Sequence, residues 1–149
     1  NILINKLNHY GIRGPILNWF SSYLTDRQVY TQYNGYNSFN KSINIGVPQG
    51  GILSPALYSI FVNDFSSYIK SQCNASSLIY ADDTACILQA KTINDLRQNF
   101  TSFYDKIHDY FHNLKLTLNI NKTQLLLFGN KCEYEFQAKN NLIKNLKKC

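Results

Sequence analysis

Two adjacent carboxylates are the first feature of the sequence that could carry chemistry. Asp82 and Asp83 stand in the stretch LIYADDTACIL, residues 78–88, between apolar runs that are typical of strands. One interpretation is a simple hairpin turn, because aspartate tolerates the left-handed backbone conformation that such turns need. The other is a metal site, since a hard cation such as magnesium prefers one or two carboxylates together with substrate phosphates. The two interpretations are compatible, and the dipeptide alone favours the turn.

A glycine-rich loop is the second such feature. The stretch GVPQGGILSP, residues 46–55, leads directly into an apolar pattern with helical spacing. Glycine lets the backbone approach a ligand closely, and the N-terminus of a helix offers unpaired N–H groups to a phosphate. The same residues also fit an ordinary glycine-rich turn.

Three helices are predicted in the first half of the chain. Residues 2–10 have apolar side chains at helical spacing and are followed by Gly11, which predicts a short helix with a glycine cap. A second helix is predicted over residues 14–24, beginning at a Gly-Pro pair. A third is predicted over residues 54–68, with the hydroxyl of Ser54 as its cap.

A long amphipathic helix is predicted after the paired carboxylates. Thr92 and Asp95 resemble a capping box, and the apolar stripe that follows continues to Leu114 in steps of three and four residues. The stripe is rich in aromatic side chains. Packing on a sheet explains these aromatics better than a surface for stacking nucleic-acid bases.

The strand patterns complete an α+β assignment. Residues 27–47 combine β-branched and aromatic residues around Asn34–Gly35, which predicts two extended segments joined by a turn. Residues 116–128 predict a strand, a turn at residues 119–121 and another strand, and the lysine-rich end beyond is predicted to be solvated and partly helical. Hairpins without regular βαβ alternation favour an α+β fold, with the carboxylates at a hairpin covered on one face by two helices.

Length and composition restrict the class of protein. The chain has 149 residues, of which 44% are hydrophobic and 16% charged, as in one globular domain. The net charge of +6 makes an anionic partner such as nucleic acid plausible, although AT-rich coding would also enrich lysine and asparagine. The absence of methionine predicts an interior piece of a longer polypeptide. Four cysteines without C-x-x-C spacing favour reduced thiols over a metal site or disulfides.

The order of these motifs resembles the reverse transcriptase domain of non-LTR, LINE-type retrotransposons. GVPQGGILSP is similar to the family's template-grip and nucleotide-contact motif, YADD to its metal-binding palm hairpin, and LTLNINKTQLLLF to the segment after the palm helix. The resemblance covers residues 1–129. It implies a right-hand polymerase palm, with an RNA-recognition-like antiparallel sheet and helices on one face, plus part of the fingers. Residues 130–149 form a separate basic C-terminal segment.

The resemblance also implies an RNA-directed DNA polymerase that transfers nucleotides with two magnesium ions. Asp82 matches the family's principal palm ligand of the metal, and Asp83 matches its neighbour. Lys122 is a candidate for meeting the triphosphate and giving a proton to pyrophosphate, unless it is simply an exposed lysine after a turn. Arg27 is a candidate contact to template phosphate, unless it is an ordinary surface arginine. The other implied substrate contacts are Pro48, Gln49, Gly50 and, beneath the primer end, Tyr80.

One expected motif is missing from the chain. The family's first catalytic motif carries a further aspartate in an AFD context, which is expected upstream of Asn1, so the 149-residue chain alone is predicted to be inactive. The implied partners of the intact protein are an RNA template, a DNA primer, dNTPs and the remainder of a larger retrotransposon polyprotein. No membrane is implied, and the location is intracellular, with the intact protein acting in the nucleus.

Two other hypotheses stay open at this stage. The chain could be a transposon relic or a domesticated fragment that binds RNA or a protein without catalysis. It could also be an unrelated α+β protein with chance motifs, in which case it should show no metal affinity at Asp82 and no RNA binding that weakens with salt.

Overall fold

The computed structural model describes residues 1–128 in full and, further on, the backbone of residues 136–138, 141–143 and 146–148. The chain divides into two compact units, residues 1–63 and residues 64–149. Helices and short, mostly antiparallel strand pairs occur in both units, which confirms the predicted α+β class. Within the described residues, no helix has the combined length and apolar character needed to cross a membrane.

Three helices form the core of the first unit. They are α1 (Ile2–His9), α2 (Gly14–Leu24) and α3 (Ser54–Val62). The first two lie where the sequence predicts, except that α1 ends one residue earlier. Gly11 has a φ of +89°, a conformation that glycine adopts without steric cost. The buried core residues of this unit come from all three helices. The cluster consists of Leu3, Leu7, Leu24 and Leu57, and Val62 of α3 is buried as well.

An extended arm lies between α2 and α3. Strand β1 (Arg27–Val29) pairs antiparallel with β4 (Lys41–Ile43), and the shorter β2 (Gln32–Tyr33) and β3 (Tyr36–Asn37) pair between them. Both residues of Asn34–Gly35 have positive φ, which confirms the turn predicted there.

The helix predicted over residues 54–68 is two helices. The first ends at Val62 and α4 (Phe65–Cys73) follows after a two-residue turn. Both turn residues keep helical dihedral angles. The apolar spacing runs on without interruption, so periodicity alone could not show the break. The Asp64 carboxylate accepts a 2.8 Å hydrogen bond from the Tyr110 hydroxyl within the second unit.

The long helix α5 (Ile93–Asn113) has the predicted cap. The Thr92 hydroxyl accepts from the main-chain N–H of Asp95 and donates to the Asp95 carboxylate at 2.7 Å. Its aromatic stripe packs inward, so the interpretation as core is confirmed. Phe65 is fully buried, with its ring centroid 5.1 Å from that of Tyr110 and 5.0 Å from that of Phe111.

The second unit contains the hairpin that bears the paired carboxylates. Strands β5 (Ser76–Tyr80) and β6 (Asp83–Ile87) pair antiparallel over five residues, as the sequence predicts. Helix α4 packs against β5. The hairpin is a two-stranded sheet, and the RNA-recognition-like palm sheet implied by the resemblance stays a prediction.

The C-terminal part of the second unit differs from the expectations. Residues 116–118 do not form the predicted strand. A 3₁₀ turn at Ile120–Lys122, capped by the Asn119 side chain, follows them, and the strand of this stretch is β7 (Leu125–Leu127). Short apolar runs do not distinguish a strand from a capped turn.

Three more strands lie in the lysine-rich end of the chain. Strand β8 (Phe136–Ala138) pairs antiparallel with β9 (Asn141–Ile143), and β10 (Leu146–Lys148) pairs parallel with β7. The predicted partly helical end is therefore wrong for these stretches. The rest of that segment lies outside the described residues.

Substitution of the buried aromatic at the start of α4 should destabilise the second unit strongly. Phe65→Ala leaves a cavity between α4 and α5, and we expect a loss of about 3–5 kcal/mol in the free energy of unfolding. Phe128→Ala is the control within the same unit, because Phe128 is 72% exposed and its loss should change stability by less than about 0.5 kcal/mol. Urea unfolding followed at the amide signals of α5 measures both, and equal effects would contradict this packing.

Candidate active site

The tip of the β5–β6 hairpin is a two-residue turn. Tyr80 and Asp83 are direct cross-strand partners, so Ala81 and Asp82 form the loop between them. The sequence suggested that an aspartate takes the left-handed conformation, but that residue is Ala81, with a φ of +52°. Such a conformation is unfavourable for any residue with a Cβ, and it sets the direction in which the next residue leaves the turn.

Both carboxylates of the tip are exposed to solvent. Asp83 is paired with Tyr80, so their side chains lie on one face of the hairpin, together with Leu78 two residues earlier. This face is open, since Tyr80 is 84% and Leu78 67% exposed. Because water solvates both Asp82 and Asp83, neither pays a desolvation penalty and their mutual repulsion is weak.

The opposite face of the hairpin packs on α4. The Ser77 hydroxyl donates to the Ser66 hydroxyl oxygen at 2.9 Å. On the same face, burial and the nearby Cys73 thiol raise the pKa of Cys86 to about 11. Burial also raises the pKa of Cys73, against the opposing effect of the positive charge on Lys106.

The two cysteines in the described part of the chain are free thiols, in agreement with the preferred interpretation of the sequence. Because burial keeps them in the neutral form, they behave as small apolar side chains. Cys132 and Cys149 lie outside the described residues.

The glycine-rich loop of the first unit forms a hydrogen-bonded turn. The main-chain N–H of Gly51 donates to the Pro48 carbonyl at 3.2 Å, and Gly50 has a φ of +77°, as the third residue of a type II turn requires. Pro48 is half-buried, whereas Gln49 and Gly50 are exposed. The turn therefore presents a glutamine side chain and a bare stretch of backbone to solvent.

Ser54 has a different role from the one that its position in the sequence suggests. It is the first residue of α3 and makes no capping bond to the helix. Its buried side chain donates instead to the Pro48 carbonyl, which thus accepts two hydrogen bonds. The prediction of a serine cap is wrong because α3 begins at Ser54 itself and Leu53 occupies the cap position.

The space around Gly51 is too small for a Cβ atom unless its neighbours move. A Cβ at this position would lie 2.8 Å from the Ser54 hydroxyl oxygen, 2.8 Å from the Tyr23 hydroxyl oxygen and 3.2 Å from the Pro48 carbonyl oxygen. Sequence reasoning missed the contributions of Tyr23 and Ser54 to the loop. The only local signal was the second of two consecutive glycines.

The two basic candidates have different environments. Lys122 is exposed and ends the 3₁₀ turn. Arg27 is half-buried at the start of β1, and its guanidinium donates to the main-chain carbonyls of Leu24, Ile45 and Gly46. Arg27 is therefore brought to the segment that enters the turn, within the same unit.

The structure thus assembles the candidate residues in two groups, one in each unit. Tyr80, Asp82 and Asp83 lie together at the hairpin tip, and Arg27 joins the loop that contains Gln49. Among the described residues, no three His, Cys, Asp or Glu side chains are placed to hold a metal ion together. The exposed pair of carboxylates fits the chemistry of a hard cation whose remaining ligands are phosphate and water oxygens.

Comparison with known proteins gives one family. The sequence profile described as "Reverse transcriptase (RNA-dependent DNA polymerase)" matches residues 1–146. The chain is 30% identical, over 114 residues, to the RNA-directed DNA polymerase from mobile element jockey of Drosophila melanogaster. That alignment covers 74% of this chain and 12% of the relative.

Two further relatives have similar names and coverage. The probable RNA-directed DNA polymerase from transposon BS of Drosophila melanogaster is 26% identical over 113 residues, or 73% of this chain. The jockey RNA-directed DNA polymerase of Drosophila funebris is 28% identical over 113 residues, also 73% of this chain. The chain spans about 12% of the length of each of these relatives. No solved structure matches it significantly.

Replacement of the left-handed Ala81 at the hairpin tip by glycine should stabilise the second unit. Ala81→Gly removes roughly 1–2 kcal/mol of steric cost and adds roughly 0.5–1 kcal/mol of backbone entropy cost, so we expect a net gain of about 0.5–1 kcal/mol. Ala85→Gly in β6 is the matched control and should destabilise, because Ala85 is in a strand. Urea unfolding measures the free energy of unfolding of both variants. If this free energy changed in the same direction in the two variants, the turn geometry would be contradicted.

A methyl group at Gly51 should disturb the loop through its neighbours. We expect Gly51→Ala to destabilise the first unit by about 1–3 kcal/mol, because the added Cβ must displace the two hydroxyl groups beside it. Tyr23→Phe removes one of these hydroxyls. The double variant should therefore lose less stability than the sum of the single losses, by at least about 0.5 kcal/mol in a double-mutant cycle. Strict additivity would show that Tyr23 does not crowd the loop.

Proposed function

The chain belongs to the reverse transcriptase (RNA-dependent DNA polymerase) family, and from this premise we propose that it contributes part of the active site of a non-LTR retrotransposon RNA-directed DNA polymerase. The observation that carries the proposal is the exposed pair Asp82 and Asp83 at the tip of a tight hairpin. In this proposal residues 1–129 form part of the palm and fingers of the polymerase.

Asp82 and Asp83 are proposed to hold divalent cations, with magnesium as the physiological ion and two ions in the complete active site. Bound there, magnesium would activate the primer 3′-hydroxyl and stabilise charge on the triphosphate's leaving oxygen. The carboxylates are suited to this because they are exposed and adjacent, and because the phosphates of a substrate can reach them from solvent.

The turn itself is proposed to act as a rigid support for the carboxylates. Cross-strand pairing fixes Tyr80 and Asp83, and the single left-handed residue between them leaves the loop little freedom. A metal ligand on a rigid hairpin loses less entropy on binding than one on a flexible loop. The exposed ring of Tyr80, on the same face as Asp83, is proposed to lie beneath the primer end.

The Pro48–Gly51 turn is proposed to contact the incoming nucleotide and the template backbone. Gln49 offers an exposed amide that both donates and accepts hydrogen bonds, and Gly50 has no side chain to keep a ligand away from its backbone. Lys122 is proposed to meet the triphosphate and to return a proton to pyrophosphate, a role that needs an exposed ammonium group.

The proposed substrates are an RNA template, a DNA primer and dNTPs. Residues 1–63 carry four Lys and Arg residues and one acidic residue, Asp26, so this unit attracts polyanions. The remainder of a larger retrotransposon protein is a further proposed partner, in keeping with the 12% of the relatives' length that the chain spans. The complete protein is proposed to act in the nucleus.

A second candidate function is RNA binding without catalysis. The basic charge of the first unit supports it, because attraction to phosphates requires no bound metal. In that case the chain binds RNA with strong salt dependence, and substitution of the hairpin carboxylates does not weaken this binding.

Removal of one carboxylate at the tip should abolish cation binding there. Manganese is a paramagnetic substitute for magnesium, and we expect it to broaden the amide signals of residues 80–84 in the 149-residue chain. Asp82→Asn should remove this broadening, because a neutral amide is a much weaker ligand for a hard cation than a carboxylate. NMR titration with Mn²⁺ measures the effect.

Asp26→Asn is the matched control. It removes the same charge from an exposed site, and asparagine tolerates the positive φ of Asp26. Primer extension on an RNA template, with the chain lengthened by its flanking coding sequence, should fall at least about 100-fold in Asp82→Asn alone. If the control lost as much broadening and activity as Asp82→Asn, the site would not be at the hairpin.

A further inference from the structure

Arg27 makes an unusual set of contacts for a residue with an implied role in holding template. Its Nε donates to the Leu24 carbonyl at 3.3 Å, and its Nη2 donates to the carbonyls of Ile45 at 3.0 Å and Gly46 at 2.6 Å. The first acceptor lies at the end of α2, and the other two lie 18 and 19 residues later in the chain. One side chain thus joins the end of a helix to the segment entering the glycine-rich turn.

These bonds use the donors that phosphate recognition needs. A guanidinium binds phosphate through two parallel N–H groups, taken either from the two Nη atoms or from Nε and the neighbouring Nη. Both choices include Nη2, which donates to the carbonyls of both Ile45 and Gly46. A two-pronged contact to template phosphate would therefore break at least one of the carbonyl bonds.

The backbone at residues 45–46, just before the turn, brings two carbonyls to Arg27. Successive carbonyls of an extended strand point in opposite directions, so they cannot normally meet one nitrogen. Gly46 has a φ of +72°, which takes the chain out of the extended conformation where the two carbonyls converge on Arg27. The half-buried Pro48 follows after one residue and begins the turn.

We propose that Arg27 is a positioning residue, which fixes the Pro48–Gly51 turn by tying the main chain at Ile45 and Gly46 to the end of α2. Its action on substrate is indirect and passes through the turn. The effect on substrate rests on the proposed function, because it requires that the turn meets nucleotide or template. The hydrogen bonds of Arg27 that tie residues 45 and 46 to α2, here called the tether, lie within the first unit and do not depend on that function.

Two substitutions of Arg27 separate a tether from a phosphate contact. Arg27→Lys keeps the charge but replaces the fork by a single ammonium point, which cannot reach all three carbonyls together. Arg27→Gln removes the charge as well. The readouts are ¹⁵N order parameters of residues 46–51 in the 149-residue chain, and the salt dependence of its binding to single-stranded RNA.

A tether predicts that both variants loosen the turn. Order parameters of residues 46–51 should fall from about 0.85 toward about 0.6 or lower, while those of α1 and α2 stay unchanged. The slope of log K against log salt should be the same in all forms. The exposed Arg13, which precedes α2, provides the matched controls Arg13→Lys and Arg13→Gln, and neither should loosen the turn.

A phosphate contact predicts the opposite pattern. The turn would stay ordered in both Arg27 variants, and the salt slope would fall by about 0.7 in Arg27→Gln but not in Arg27→Lys. Either that pattern or a uniform loss of order across α1 and α2 would overturn the proposal. The order parameters need neither RNA nor catalysis, so they test the tether even if the chain lacks polymerase function.

Discussion

Tight turns with left-handed residues are the constraint on which both parts of the candidate site depend. The hairpin tip needs one such residue, Ala81, and the glycine-rich loop needs another, Gly50. A backbone in this conformation persists only when the surrounding structure holds it. At the hairpin the support is strand pairing, and at the loop it is the Pro48 carbonyl, which accepts from both the Gly51 amide and the Ser54 hydroxyl.

The supports of these turns rest on buried apolar packing within each unit. In the second unit, Phe65 packs against the aromatic stripe of α5 and holds α4, the helix on which β5 lies. In the first, leucines of α1, α2 and α3 form the core beneath the loop-bearing helix. The turns can therefore be exposed while the elements that support them are buried. Exposure also keeps the electrostatic cost of two neighbouring aspartates small, since water solvates both carboxylates.

This arrangement agrees with the family to which the chain belongs. Nucleotide transfer by polymerases depends on positioning and electrostatic stabilisation more than on covalent chemistry of the protein. Exposed, adjacent carboxylates on a strand-paired hairpin and a loop with an exposed glycine are suited to that task. Membership of the family follows from the sequence match over residues 1–146, whereas the roles of the individual residues are proposals supported by their placement.

Much of the secondary structure could be predicted from the sequence because its signals are local. Glycine after α1, Gly-Pro at the start of α2, Asn-Gly in the arm and the Thr92–Asp95 cap each act within four residues, and the structure confirms all of them. The motif YADD also located the hairpin to within one residue. Local signals were insufficient at residues 116–118, where a short apolar run preceded a capped 3₁₀ turn.

The sequence by itself determined the α+β class, the family and the two candidate turns. Only the tertiary structure decided that Ala81 takes the left-handed position, that the Ser54 hydroxyl bonds to Pro48, and that Arg27 donates to carbonyls 18 and 19 residues away. The physical reason is the range of the interactions. A helix cap or a turn depends on neighbours in the chain, whereas the partner of a polar side chain depends on which distant main-chain groups folding brings within hydrogen-bonding distance.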